Sequence, residues 1–326
     1  MFIICDTSID RKKGYMIMIL NTGSRTDIPA FYSTWFYRRI QEGYVCTRNP
    51  YYPHIVHRYR LNPEIIDVIL FCTKDPTNMI ENLSQLVGYR YLWYVTVTPY
   101  GKDIEPYVRD KYQVMDSFHR LSSIVGKEHI FWRYDPIFVD KKYTVEYHLR
   151  AFEKICANLS GYTSYCIISF IDLYEKTKRN FPEVQEVSYG TMHLLTSSFV
   201  AIAQKYGISL MTCAEDHGLD QYGIDITGCM SQKVIERATG LTLSVPVGKK
   251  TRNACACLLG NDIGEYNTCG HFCKYCYANV DRAIVKKNMA AHDPNSPLLV
   301  GKIHAEDEVR DVVQKSWLPK QLRLPL

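Results

Sequence analysis

What the chain lacks narrows its class first. No apolar run in its 326 residues approaches the ~20 residues that a membrane-spanning helix needs. The opening "MFIICDTSID" has no basic start, and Asp6 and Asp10 interrupt its short apolar block, so it does not read as a signal peptide. Both absences point to a cytoplasmic chain with no membrane partner, in a compartment where thiols stay reduced. Neither sign of charge is in large excess. The 39 basic and 34 acidic residues leave +5, which suits an anionic ligand but is only weak support for a nucleic-acid partner. Internal repeats and low-complexity tracts are missing as well. With 46% hydrophobic and 22% charged residues, the chain has the apolar surface for a sizeable core, which excludes a disordered polymer.

What is present is an alternation. Short β-branched and aromatic runs are each followed by a helical pattern. They are "YMIMILNTG", "IDVILFCTKDP", "YLWYVTVTPYG", "HIFWRYDPIFV", "SYCIISFIDLY" and "ISLMTCAED". Helices are expected after Pro29, over 77–87, 109–124 and 144–159, and along "MHLLTSSFVAIAQKYG". Six strand–helix units argue for an α/β fold, a parallel sheet curved into a full or partial (β/α) TIM-like barrel. The expected division is an extension over 1–15, a β/α barrel domain over 16–215, and a cysteine-rich segment over 216–326 packed on the barrel mouth. In the last segment "SQKVIERATG" reads as a short helix ended by Gly240.

Each apolar run ends in polar residues, at the strand ends where β/α barrels build their sites. Asp27 and Asp135 belong to this set and are equally suited to helix capping. Arg25, Lys74 and Arg133 are not explained by capping. They predict a basic rim for a carboxylate or phosphate, and with the two aspartates they are the catalytic candidates.

Twelve cysteines in a reducing compartment direct attention to metals. Cys72, Cys156 and Cys166 sit in apolar runs and read as small core residues. Cys269, Cys273 and Cys276 form CxxxCxxC in "CGHFCKYC". Three thiolates on one tight loop suit three irons of a [4Fe–4S] cube and leave the fourth open. Gly270 is expected to let the backbone wrap closely around that core. Structural zinc favours paired CxxC knuckles and fits this spacing poorly. Cys213, Cys229, Cys255 and Cys257 are candidates for a second, fully ligated cluster or a zinc ion, against the plainer reading of unrelated loop thiols. His217 and His271 read as hydrogen-bonding loop histidines rather than ligands.

The segment "CGHFCKYCYAN" resembles the CxxxCxΦC signature of radical S-adenosylmethionine enzymes, where Φ is aromatic. The resemblance implies that Cys269, Cys273 and Cys276 ligate the cluster and that Tyr275 lies beside the adenine of bound S-adenosylmethionine. The open iron would chelate the methionine and yield a 5′-deoxyadenosyl radical, which requires an electron donor. Two departures stand out. The motif follows all six strand–helix units instead of the first, and no Gly-Gly-Glu-like strand end is present. In its order of "GSRTDIPAFY", "FCTKDP", "WRYDP", "SFIDLY" and the cysteine segment, the chain resembles an uncharacterised bacterial and archaeal family with a C-terminal radical-SAM-like cluster. It is also distantly similar to spore-photoproduct-lyase-like proteins. The expectation is therefore a radical-SAM-type enzyme acting on a small anionic substrate. The alternatives are an iron–sulfur protein that transfers electrons or senses redox state, and a zinc-stabilised binding module.

Overall fold

The computed structural model describes residues 16–213, 215, 218–245, 256–258 and 261–319; the expected extension 1–15, His217 and Cys255 lie outside them. Along the described chain run β1 (Met16–Ile17), β2 (Ile19–Asn21), α1 (Ile28–Phe31), α2 (Ser33–Glu42), β3 (Tyr44–Arg48), β4 (Ile55–Arg60) and β5 (Val68–Thr73). Next come α3 (Thr77–Ile80), β6 (Tyr91–Thr96), α4 (Lys111–Val125), β7 (Ile130–Ile137), α5 (Val145–Leu159) and β8 (Tyr165–Phe170). They are followed by α6 (Glu175–Asn180), α7 (Tyr189–Lys205), β9 (Ser209–Thr212), α8 (Gln232–Thr239), β10 (Asn261–Asp262), α9 (Arg282–Ala290), β11 (Glu308–Asp311) and β12 (Gln314–Lys315). No described helix is long and apolar enough to cross a membrane.

The main sheet has seven strands in the order β10-β2-β5-β6-β7-β8-β9, every pair parallel. The six predicted strands are therefore present and in sequence order. A full barrel is not: β10 and β9 are edges, and the sheet does not close. The seventh strand, β10, is a polar Asn-Asp pair that strand propensity disfavours. It exists because Asn261 and Asp262 pair in register with Leu20 and Asn21.

Parallel strands are covered on both faces, and here the two faces are covered differently. Leu20, Phe71, Trp93 and Trp132 share one core with Trp35 and Phe36 of α2, Phe118 of α4, Phe152 of α5 and Phe199 of α7. The alternate residues Leu70, Tyr94, Phe131 and Ile167 share another with Met230, Val234 and Ile235 around α8, and with Trp317. Most of the long helices thus lie on one face, and a short plug built around α8 lies on the other. The short helix and its end were legible: Gly240 closes α8 at φ 70°, and Ser231 caps its N-terminus. A second sheet was not foreseen. In it β3 and β4 form an antiparallel pair and β11 adds to β4 in parallel, tied by the Arg48–Asp307 ion pair at 2.6 Å.

Candidate functional site

The C-terminal ends of the parallel strands open into a cavity of about 340 Å³. Asp27 after β2, Lys74 after β5, Thr96 of β6, Arg133 and Asp135 of β7, Ser169 of β8 and Cys213 after β9 all border it. Cys269, Cys273, Tyr275 and Cys276 form another part of its wall. Every described residue expected at the site therefore borders one space, except Arg25.

The cysteine loop is held from several sides. Tyr32 Oη donates to the Thr268 carbonyl at 2.6 Å, and Lys274 N–H to the Ile104 carbonyl at 2.9 Å. Asn180 of α6 donates to the carbonyls of Cys276 and Asn279 at 3.4 and 3.2 Å. Within the loop, Cys276 N–H reaches the Cys273 carbonyl at 3.1 Å and Ala278 N–H the Cys276 sulfur at 3.3 Å. Gly270 also makes room for a neighbouring side chain. A Cβ there would meet the Phe31 ring at 2.9 Å, so the glycine admits α1.

Cys273 is buried, Cys269 and Cys276 are half-buried, and the thiols lie close enough for Cys273 and Cys276 to raise Cys269. Burial first, then the Asp27 charge and the neighbouring thiols, push Cys269 well above the usual thiol range. Burial likewise pushes Cys273 up to about 12, with Lys74 pulling the other way, and it raises Cys276. Sulfurs so placed ionise when a cationic centre compensates them. Among the described residues, however, no group of three or more His, Cys, Asp or Glu side chains stands ready to hold a metal ion. A tetrahedral zinc would need sulfurs about 3.8 Å apart, from bonds of ~2.3 Å. A cube bound through separate irons takes its thiolates at wider spacing. The donor chemistry, three soft thiols beside a cavity, fits a cluster.

The expected basic rim is already engaged with acids. Arg25 Nε lies 3.3 Å from Asp262 Oδ1, and its guanidinium also reaches the Asp262 carbonyl. Lys74 Nζ is 2.8 Å from Glu105, which also takes Lys111, Tyr275 Oη and, at 2.7 Å, Thr98 Oγ1. Burial alone would raise the Glu105 carboxyl, but the charges of Lys74 and Lys111 outweigh it and hold it well below the usual range. Arg133 Nε donates to Asp135 at 3.0 Å, and Asp135 also accepts from Ser169. Asp27 caps α1 by accepting from Ala30 N–H at 3.0 Å, and its other oxygen takes Lys74 N–H at 2.8 Å and His271 Nε2 at 2.9 Å. His271 is thus a hydrogen-bonding residue, as the sequence suggested.

Sequence reasoning missed the roles of two residues, Glu105 and Cys72. Glu105 follows no strand run and gave no signal. Cys72 was taken for core alone; it packs at the core edge and also borders the cavity. Glu215, one of the polar residues that end the strand runs, accepts Phe170 N–H at 2.8 Å, and burial pushes its carboxyl up to about 8. Cys156 and Cys166 are core residues as expected. Of the second cysteine set, Cys229 and Cys257 have their sulfurs 3.6 Å apart, and Cys213 borders the same cavity.

Fold and site together define a class: an α/β protein whose parallel strands end at a thiol-lined cavity. The chain belongs to the family described as a domain of unknown function, DUF1848, whose profile matches residues 19–278, from β2 to two residues past Cys276. No curated protein matches the chain. Among solved structures, a "putative alpha-L-fucosidase" from Bacteroides thetaiotaomicron is similar at 11% identity with a TM-score of 0.29, over 69% of this chain and 94% of that one. A likeness that loose carries no argument about either fold or activity.

Proposed function

We propose that the chain is an iron–sulfur protein of radical S-adenosylmethionine type, in which Cys269, Cys273 and Cys276 hold a [4Fe–4S] cluster with one open iron. The observation that carries this reading is the meeting of all three thiols with the strand ends at a single cavity. When bound, such a cluster supplies the electron that cleaves S-adenosylmethionine to a 5′-deoxyadenosyl radical. The chain's own residues do the rest. Tyr275 is fixed by its hydroxyl on Glu105 and by Lys74 Nζ, 5.5 Å from its ring centroid, so its ring is a rigid wall for an adenine. Lys74 holds positive charge beside Cys273 and offsets that of the ligand thiolates. Asp27 joins β2, β5 and the cysteine loop through His271, and so keeps the three sulfurs facing the strand ends.

In this reading the open sheet curls into a partial barrel. Five intervals separate β2 from β9. A flat sheet at ~4.8 Å per interval would place their ends about 24 Å apart. Residues following both strands nevertheless border one cavity of about 340 Å³, and most of the long helices share one face.

A second reading, electron transfer or redox sensing without radical chemistry, is favoured by the pairing of Arg25, Lys74 and Arg133 with acids. That pairing leaves the expected anion-binding rim internally neutralised. Anaerobic purification, followed by iron and sulfide analysis and electron paramagnetic resonance with and without S-adenosylmethionine, tests both readings. The radical reading expects about four irons per loop cluster, a spectrum altered by S-adenosylmethionine, and 5′-deoxyadenosine under strong reductant. A cluster indifferent to S-adenosylmethionine selects the electron-transfer reading, and zinc in place of iron selects the binding module.

A further inference from the structure

A second group of thiols borders the same cavity and has no part in the reading above: Cys213, Cys229 and Cys257. They come from three separate stretches, the end of β9, the turn before α8, and a segment bridged to Ser231. The register of the last two is set by the backbone: Leu258 N–H donates to the Met230 carbonyl at 2.8 Å, and Met230 N–H to the Cys257 sulfur at 3.4 Å. The result is a Cys229–Cys257 sulfur separation of 3.6 Å, van der Waals contact between the two sulfurs. Arg133 Nη1 stands 3.5 Å from the Cys229 sulfur. The rest of that guanidinium pairs with Asp135.

We propose that Cys229 and Cys257 form a redox-active dithiol that opens onto the cavity and exchanges with low-molecular-weight disulfides. The Cys229 thiolate attacks one sulfur of R–S–S–R, breaking that bond and expelling one RS⁻ while a mixed disulfide forms. Cys257 gives up its proton and attacks the Cys229 sulfur, which expels the second RS⁻. Two protein thiols lose two electrons and two protons, and the small disulfide gains both as two RSH. Excess thiol reverses the exchange. Arg133 stabilises the attacking thiolate, and contact with Cys257 makes the closing step intramolecular. Dithiols that cycle in this way in reducing compartments are catalytic or sensing devices rather than staples.

The proposal does not depend on the loop cluster, and iron-free protein tests it equally. The anaerobically purified full chain is equilibrated with glutathione disulfide, alkylated and mapped by mass spectrometry. The expected result is a peptide pair joining Cys229 to Cys257, with alkylation of both lowered about tenfold and restored by excess glutathione. Cys257→Ser should trap a single glutathione on Cys229. Unchanged alkylation of both residues, or Cys229 joined to Cys213 or to a loop thiol, overturns the proposal. So does zinc or iron retained by the Cys269→Ala, Cys273→Ala, Cys276→Ala triple variant that shields both residues until chelated, an outcome that makes the group a second metal centre. The wild-type map needs no variant to fold.

Discussion

Side chains at this site are defined by their partners more than by their type. Glu105 is buried between two lysines, a tyrosine hydroxyl and a threonine, a satisfied network whose members cost little together and much if separated. Glu215 shows the opposite behaviour. It is 8% exposed, and burial raises its carboxyl from an ordinary 4.5 to about 8. Between those values the folded chain keeps a proton that the unfolded chain releases. Its contribution to stability is complete below 4.5 and is lost as the pH climbs through 8. Replacing Glu215 by Gln should flatten that fall, which is on the order of a few kcal/mol. Urea unfolding at several pH values checks it, and an equal slope in both proteins counts against the assignment.

Secondary-structure elements differ in how far their own residues explain them. In α8, Ser231 Oγ accepts Val234 N–H at 3.4 Å and Gly240 closes the helix, while Val234, Ile235 and Ala238 face the sheet. All of that is visible in "SQKVIERATG". Removing the cap with Ser231→Ala should cost about 1 kcal/mol. Because Ser231 is bridged to Cys257, the same change should speed alkylation of Cys229 and Cys257. A denaturant midpoint and an alkylation time course read the two effects. By contrast, β10 and α6 carry no such signal. One is two polar residues recruited by β2, and the other is a short polar helix whose Asn180 braces the cysteine loop.

For the molecule as a whole, the decisive connection joins the end of β2 to the stretch before the cysteine loop. Asp262 takes the backbone N–H groups of Ser24 at 2.7 Å and Gly264 at 2.7 Å, and it pairs with Arg25. These contacts bring the cysteine loop, which begins a few residues later, to the end of β2. Asp262→Ala leaves a nearly buried guanidinium without its carboxylate, so a Tm lower by about 3–6 °C is expected. Iron per chain should fall with it, and thermal unfolding beside metal analysis is the check. Full iron in a destabilised variant would show that the loop holds its shape without this anchor.

From its residue order alone the chain determined six parallel strands, their helices, the end of α8 at Gly240, and a CxxxCxxC thiol triad on one loop. Those features arise from local periodicity and from contacts between near neighbours. Only the tertiary structure decided that the sheet stays open, that Arg25 meets an acid 237 positions away, and that Cys229 touches Cys257. Strand propensity does not count the strands needed for closure. A charge also takes whichever opposite charge the folded backbone brings to it, because burial makes an unpaired ion too costly to leave alone.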